Sequence, residues 1–281
     1  KFLVSSVIVG FGTSMPEMTV SVEAMLKGTP EIAVGNVIGS NIANILLIIG
    51  VAAIIGPFSM QDRSMKKDVI CMCFATIILS LFALGKTIGL FHGVLFLGIL
   101  FIYIIYSYMK DQQSCSRQDT QDLLSDMGWF KNVNLPFSLL FSIAGILLLV
   151  IGSSLFLDGS IAIANQLNIS REVIGLGIVA IGSCLPELAA TIVASIKKQS
   201  NIVIASIVGS NIFNILSIMG VVSIIDDIKI PQHILTFDLW IFLSASLTLT
   251  YMLLANVNFN RIVGSVFFIS YSIYLLLLFN Y

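Results

Sequence analysis

Charged side chains are scarce in this sequence, and that scarcity excludes most soluble folds. Only 10% of its 281 residues are Asp, Glu, Lys or Arg, whereas soluble domains have about 25%. The formal net charge is −1, so the chain offers no basic surface for a nucleic acid. The four cysteines and two histidines form no spacing typical of disulfide frameworks, metal motifs or nucleophile–His pairs.

Apolar residues make up 57% of the chain, and its mean hydropathy is +1.02. A bilayer core of roughly 30 Å needs a helix of about 20 apolar residues. The alternating ten-residue strands of a membrane β-barrel do not occur. The sequence therefore predicts an all-α polytopic membrane protein. Nine segments are the candidate spans: 3–26, 32–56, 69–85, 88–109, 136–157, 172–196, 202–225, 236–255 and 262–279.

The connections between these segments differ in their positive charge. With nine spans, ten Lys and Arg residues fall on one side of the membrane and four on the other. Cytoplasmic loops carry the excess of positive charge. We therefore expect Lys1 and the polar stretch 110–134 on the cytoplasmic side and Tyr281 outside. The stretch 110–134 is predicted to be a solvated linker.

An internal repeat appears when the sequence is compared with itself so that Gly12 falls on Gly182. GTSMPE at 12–17 then matches GSCLPE at 182–187, and GSNIANIL at 39–46 matches GSNIFNIL at 209–216. Between residues 10 and 51 the register has no gap, and 16 of 42 positions are identical. Apolar composition alone would not align the prolines, glutamates and asparagines of the two copies. The chain therefore contains two related halves.

The two halves are predicted to run in opposite directions. Glu17 lies in the first segment and Glu187 in the sixth, so the chain crosses the membrane an odd number of times, five, from one copy to the other. Inverted repeats with broken helices near the midplane are typical of secondary transporters. The fifth segment has no partner in the first half, so we expect a further helix upstream of Lys1 that completes two five-helix repeats. The predicted division is repeat one at 1–109 with its α-repeat at 10–51, a linker at 110–134, and repeat two at 135–281 with its α-repeat at 180–221.

The two intramembrane glutamates are the strongest functional signal. Ionisable residues in a membrane segment are costly and mark function, and no Lys, Arg or His lies at comparable depth to neutralise Glu17 or Glu187. The natural partner of each is therefore a bound cation or a proton. Pro16 and Pro186 should loosen the helix around residues 10–16 and at the equivalent position, which frees backbone carbonyls to line a cavity.

Other oxygen-bearing side chains surround these glutamates in each half. Carbonyls, hydroxyls and carboxylates together are the ligands of hard cations. Ser40 and Asn44 share one helical face at i, i+4, as do Ser210 and Asn214. Small residues in the GSN motifs are also explained by close helix packing alone. The candidate set from the residues is Thr13, Ser14, Glu17, Ser40, Asn44, Ser183, Cys184, Glu187, Ser210 and Asn214.

The remaining acids are expected to be ordinary. Glu23, Glu31 and Asp158 lie near segment ends and are interpreted as interfacial. Asp238 stands at the start of the eighth segment, where a helix N-terminus accommodates a carboxylate. His233, close to it, is not expected to bind a ligand.

GFGTSMPE with GSNIANI, and AIGSCLPE with GSNIFNI, resemble the two α-repeats of the sodium/calcium exchanger family, within the cation/calcium exchanger superfamily. The match covers both repeats and all nine spans. The chain most resembles the prokaryotic members, which lack large cytoplasmic regulatory domains. The resemblance implies exchange of Ca²⁺ against Na⁺ at one shared site, in a prokaryotic inner membrane. It adds backbone carbonyls near Gly10, Thr13, Ala180 and Ser183 to the ligand set. Asn214 stands where several relatives have Asp, and Cys184 where relatives often have Ser.

Other functions use similar residues. A Ca²⁺/H⁺ exchanger would use the same glutamates in protonated form. A cation channel also needs buried acids, although usually in a ring supplied by an oligomer. An intramembrane enzyme would need a nucleophile or metal motif beside its two carboxylates. We expect an antiporter that acts on metal cations in a lipid bilayer, with no cofactor, no catalytic residue and no nucleic-acid partner; the oligomeric state is open.

Overall fold

The computed structural model describes residues 10–60, 65–112, 135–167 and 169–279, and these are almost entirely helical. Two short strands, β1 (Thr87–Ile88) and β2 (Ile228–Lys229), pair antiparallel. The helices are α1 (Gly10–Thr13), α2 (Met15–Leu26), α3 (Pro30–Ile55), α4 (Lys66–Leu84), α5 (Leu90–Gln112), α6 (Leu135–Leu167), α7 (Arg171–Ser183), α8 (Leu185–Ile196), α9 (Ser200–Ile225), α10 (Ile234–Leu254) and α11 (Arg261–Phe279).

Six helices in the described ranges are long and apolar enough to cross a membrane, namely α3, α4, α5, α9, α10 and α11. The pair α7 and α8 makes a seventh span if a 45° bend between them is counted as one crossing. These helices confirm seven of the predicted segments as apolar helices of spanning length. The segment 136–157 lies within α6. Part of the segment 3–26 and most of the predicted linker lie outside the described residues.

Helices α3 and α9 form the centre of the bundle. In their most apolar stretches 78% and 94% of the residues are buried, against 28% in α5 and α11. This difference follows from sequence, since α3 and α9 are apolar or small on every face and carry the two GSN motifs. The central pair therefore holds the polar motifs, and the outer helices separate them from lipid.

Glycines allow these helices to approach closely. A Cβ atom at Gly39 would overlap the Leu176 carbonyl oxygen and lie 2.8 Å from the Leu176 Cα, so α3 touches α7 backbone to backbone. At the other end of α3, Gly50 and Gly264 meet across the contact with α11. In the other half, Gly220 of α9 meets Gly93 of α5. Small residues at helix crossings are how membrane helices gain packing energy without a hydrophobic driving force.

Backbone positions with positive φ recur at the same spacing as the motifs, even where the side chains differ. Gly28 and Lys198 both have positive φ, at 67° and 57°, and they follow α2 and α8. Lys86 and Asn256 have φ of 66° and 53° and follow α4 and α10. Left-handed residues of this kind end helices. The two halves therefore share their helix ends as well as their motifs.

Two short strand contacts join loops of repeat one to loops of repeat two. Phe58 and Phe259 exchange backbone hydrogen bonds of 3.0 and 2.7 Å between the loops that follow α3 and α10. The pair Ile88–Ile228 joins the loops that follow α4 and α9. The offset between the repeats places Phe58 on Ile228 and Phe259 next to the equivalent of Ile88. The fold is therefore a pair of inverted-topology repeats whose halves are tied together twice.

Helix α6 is attached to repeat one by a polar cluster. The Lys27 ammonium, just after α2, donates to Asp158 at 2.5 Å and to Ser154 at 3.1 Å, both on α6. Ser154 also donates to Glu23 at 3.2 Å. The hydrogen bond to Asp158 raises the pKa of Lys27. The position in repeat two that corresponds to Glu23 is Val193, which cannot form such a contact.

Candidate cation site

Both glutamate-bearing helices are interrupted at one residue, two positions before the proline. Helix α1 ends at Thr13 and α2 begins at Met15, so the interruption falls on Ser14. Cys184 interrupts α7 and α8 in the same way. Each proline is the second residue of the helix that follows, where its missing N–H costs little. The predicted loosening is confirmed, although it is narrower than the stretch 10–16.

Glu17 and Glu187 lie in the first turn of α2 and α8. The N-terminal end of a helix carries partial positive charge, which stabilises a carboxylate. Both side chains are fully buried, and none of their four carboxylate oxygens accepts a hydrogen bond within the described residues. None of the ion pairs found among those residues includes either glutamate. The described side chains therefore leave two buried carboxylates without a compensating charge or hydrogen bond.

Each glutamate is adjacent to side chains of the other repeat. Ser183 and Cys184 lie beside the carboxylate of Glu17. Thr13 of repeat one lies beside Glu187. The two breaks therefore face each other across the contact between the repeats.

Ser40, Asn44, Ser210 and Asn214 are all fully buried on the two central helices. The Asn214 amide donates to Ser40 at 3.1 Å, and the Ser210 hydroxyl lies 3.0 Å from that of Thr13. Asn44 and Asn214 each lie in a π-helical turn, Ala43–Ile48 and Asn214–Ile218. Such turns are frequent at functional sites. The structure thus places the four predicted polar residues on α3 and α9, in contact with the opposite repeat.

The polar atoms without partners at this centre are oxygens. Besides the carboxylates, Ser14 Oγ, Asn44 Oδ1 and Asn214 Oδ1 are buried without a hydrogen bond in the described part of the chain. Buried polar atoms in native structures almost always have a partner. Oxygen donors without nitrogen or sulfur are the ligands of hard cations such as Ca²⁺ and Na⁺. No cluster of three or more His, Cys, Asp or Glu side chains that could hold a metal ion occurs within the described ranges.

The predicted backbone ligands and the thiol are engaged differently. The Ala180 carbonyl accepts hydrogen bonds from the Cys184 amide and the Ser183 hydroxyl, both at 3.2 Å. The Cys184 thiol donates to the Ser40 carbonyl at 3.8 Å. Gly10 is the first described residue and opens α1. These backbone groups line the breaks, and the thiol is used in packing α7 against α3.

Two asparagines that sequence reasoning did not single out connect the repeats. The Asn44 amide donates to Asn211 Oδ1 at 3.0 Å, which joins α3 to α9. Asn36 bonds to Ser21 and to Ser183, which lie in different repeats. Asn211 belongs to the quoted GSNIFNIL motif, so its identity to Asn41 was a signal that could have been used. Asn36 is replaced by Ser206 in the second half, and the repeat does not mark it.

A second symmetric pair of buried acids lies outside the site. Asp68 and Asp238 occupy equivalent positions in the two repeats, and each accepts a hydrogen bond from a tyrosine: Tyr103 at 2.9 Å and Tyr274 at 3.0 Å. His233 Nδ1 lies 2.6 Å from the other oxygen of Asp238. Asp238 was expected at a helix start, but it is the fifth residue of α10 and lies past the first turn. Its tyrosine partner was not predicted. The repeat therefore extends beyond the motifs that sequence identity reveals.

Comparison with known proteins gives consistent results. The sequence pattern of the family described as sodium/calcium exchanger protein matches residues 1–109 and 137–280. A putative antiporter, CaxA of Alkalimonas amylolytica, is 32% identical over 287 residues, which cover 99% of this chain and 88% of the relative. The sodium/calcium exchanger MaX1 of Methanosarcina acetivorans is 29% identical over 314 residues, with 99% and 89% covered.

The fold is also similar to that of a solved exchanger. Structures of the sodium-calcium exchanger NCX_Mj align with 97% of this chain and 85% of their own, at 28% identity and a TM-score of 0.71. A further structure of the same protein gives a TM-score of 0.72. Sequence pattern, relatives and fold therefore all indicate the same group of membrane transporters.

Proposed function

The chain belongs to the sodium/calcium exchanger family, and on that premise we propose that it exchanges Ca²⁺ for Na⁺ at one site between Glu17 and Glu187. The observation that carries the proposal is the set of four buried carboxylate oxygens without a partner among the described residues. Their helices come from opposite repeats, so a single cation between them would contact both halves. An antiporter requires such a shared site.

The charges explain why exchange is favoured over leak. With both glutamates ionised the site carries −2, which one Ca²⁺ or two Na⁺ neutralise. Ser14, Asn44 and Asn214 would add neutral oxygen ligands, and Ser40 and Ser210 lie one turn before each Asn. A site without cations would leave two buried carboxylates uncompensated, at several kcal/mol each. The empty site therefore resists closure, and one type of cation must replace the other before the site crosses the barrier.

A cavity beside the site supports alternating access. About 180 Å³ lies between α6 and the two breaks, lined by Pro16 and Val20 on one side, Gly182 and Ser183 on another, and Phe156 of α6. On the other side of Ser14 the space between α2 and α9 is only about 10 Å³. We propose that α6 slides past a core of α1–α3 and α7–α9, which opens the site first to one side and then to the other.

The arrangement in the membrane is part of the same proposal. The excess of Lys and Arg supports a cytoplasmic position for Lys1 and residues 110–134, with the C-terminus outside. A relative from Escherichia coli, 30% identical over 230 residues, is named inner membrane protein YrbG, which supports a prokaryotic inner membrane. Repeat one would span 1–109 and repeat two 135–281, joined by the linker at 110–134.

Uptake of radioactive Ca²⁺ into proteoliposomes tests this function. Vesicles loaded with Na⁺ and diluted into Na⁺-free buffer should accumulate Ca²⁺, and vesicles with equal Na⁺ on both sides should not. A H⁺ gradient without Na⁺ is the second arm. Uptake driven by H⁺ and not by Na⁺ would replace the proposal with a Ca²⁺/H⁺ exchanger. Uptake that needs neither gradient would indicate a channel.

A further inference from the structure

We propose that Asn36 is a positioning residue that ties the two helix breaks together and keeps the Ser183 proton away from the Glu17 carboxylate. The inference rests on the proposed function, because it concerns how the same site is prepared for a cation. Asn36 lies on α3, one turn before Ser40, and its side chain is fully buried. It is not among the residues expected to touch the cation.

The contacts of Asn36 fix the orientation of its amide. One end lies 3.2 Å from the backbone carbonyl oxygen of Glu17, which can only accept a hydrogen bond. That end must be the NH₂ group, which also donates to Ser21 at 2.9 Å. The carbonyl Oδ1 therefore points the other way and accepts from the Ser183 hydroxyl at 3.1 Å. Asn36 thus holds α2 of repeat one and the end of α7 of repeat two.

The Ser183 hydroxyl has a single proton and several nearby acceptors. It lies beside the Glu17 carboxylate, 3.1 Å from Asn36 Oδ1 and 3.2 Å from the Ala180 carbonyl. A carboxylate is the stronger acceptor, because charge-assisted hydrogen bonds exceed neutral ones. Yet neither Glu17 oxygen accepts a hydrogen bond from the described residues. The amide of Asn36 and the Ala180 carbonyl draw the proton away, which leaves the carboxylate lone pairs for a cation.

Repeat two has no asparagine at the position that corresponds to Asn36. The position equivalent to Asn36 is Ser206, whose hydroxyl is buried and has no partner in the described structure. A serine is too short to span from one break to the other. Beside Glu187, the hydroxyls of Thr13 and Ser210 lie 3.0 Å apart, and either can donate to the other. Asn36 and Ser206 are therefore a matched pair, and only the first bridges the repeats.

The test is the Ca²⁺ dependence of Na⁺-driven uptake in proteoliposomes. N36A should raise KM for Ca²⁺ about tenfold, the factor for one competing hydrogen bond, with a smaller change in maximal rate. S206A and S21A should keep the KM of the unmodified protein, since neither alters the Ser183 proton. In an S183A background, N36A should leave KM nearly unchanged, because no hydroxyl proton remains to be drawn away.

Several results would overturn the role of Asn36. They are an N36A protein with unchanged KM, an equal rise in S206A, and additive effects of N36A and S183A. If N36A does not fold, N36S copies repeat two and is predicted to show the same rise. Na⁺-driven uptake by the unmodified protein, measured in the same preparation, shows separately that the proposed function holds. An unchanged KM in N36A would then count against this inference alone.

Discussion

Repeat one and repeat two place Glu17 and Glu187 at the same point of an interrupted helix, but the residues around the two glutamates differ. Repeat one has Ser14 at its break and the bridging Asn36, whereas repeat two has Cys184 and Ser206. Repeat one is also tied to α6 through Lys27, and Val193 removes the counterpart of that cluster in repeat two. Both halves keep the Glu, Ser and Asn of the proposed ligand set, and they differ at the break residue and in how each break is held. The halves therefore share the proposed glutamate ligands and differ in the contacts that support each break.

The glutamates provide the largest test of this equivalence. E17Q and E187Q should each reduce Na⁺-driven Ca²⁺ uptake to the level of protein-free vesicles, because either change removes half of the site's negative charge. E23Q, which alters an acid of the Lys27 cluster, is the control and should retain uptake. Normal uptake by either site variant would show that the two halves do not share one site.

The contact of Gly39 with α7 tests whether α3 and α7 must approach as closely as they do in the structure. G39A would place a Cβ atom against the Leu176 carbonyl and 2.8 Å from the Ala180 Cβ. Because the clash is with backbone, we expect a loss of roughly 1–3 kcal/mol or more in stability. G98A is the matched control, since nothing lies within 4 Å of a Cβ there. Thermal unfolding in detergent measures both, and equal melting temperatures for the two variants would contradict the close approach of α3 and α7.

The buried aspartates test the symmetry outside the site. Y103F and Y274F each remove a hydrogen bond to a buried carboxylate, at 2.9 and 3.0 Å. Each should destabilise the protein by about 1.5–3 kcal/mol, with Ca²⁺ affinity retained because Asp68 and Asp238 are not among the proposed cation ligands. Thermal unfolding and Ca²⁺ uptake on the same samples separate the two effects. A loss of Ca²⁺ affinity in Y274F without a loss of stability would place Asp238 in the transport site.

The helix ends give the smallest expected effect. Gly28 and Lys198 occupy equivalent left-handed positions, with φ of 67° and 57°. Non-glycine residues pay roughly 1 kcal/mol for this conformation. G28A should therefore lower stability by about that amount, and K198G should raise it or leave it unchanged. Chemical denaturation in mild detergent resolves the difference, and destabilisation by K198G would mean that the Lys198 side chain has a packing role.

The sequence was sufficient to predict the membrane class, the repeat and the position of both glutamates inside the helical bundle. These features depend on local chemistry: apolar length, proline next to glutamate, and an offset that aligns both. The interruption at Ser14 and Cys184 followed from the same reasoning, because a proline in the first turn starts a new helix.

The contacts between the halves could not be predicted in the same way. Asn36 has no equivalent asparagine in repeat two, and its role depends on which side chain α7 brings near it. Asp238 was expected at a helix start but lies past the first turn of α10, and its bond to Tyr274 joins residues 36 positions apart. A repeat identifies what two halves share, whereas the bridges between them arise from tertiary packing.

The number of Ca²⁺ ions bound per chain tests the shared site most directly. Isothermal titration calorimetry of the purified protein in Na⁺-free detergent solution should give one Ca²⁺ per chain, with binding weakened by added Na⁺. E17Q and E187Q should each abolish that single binding event, because one ion contacts both carboxylates. Two ions per chain, with one lost in each variant, would show that Glu17 and Glu187 serve separate sites and would contradict the account.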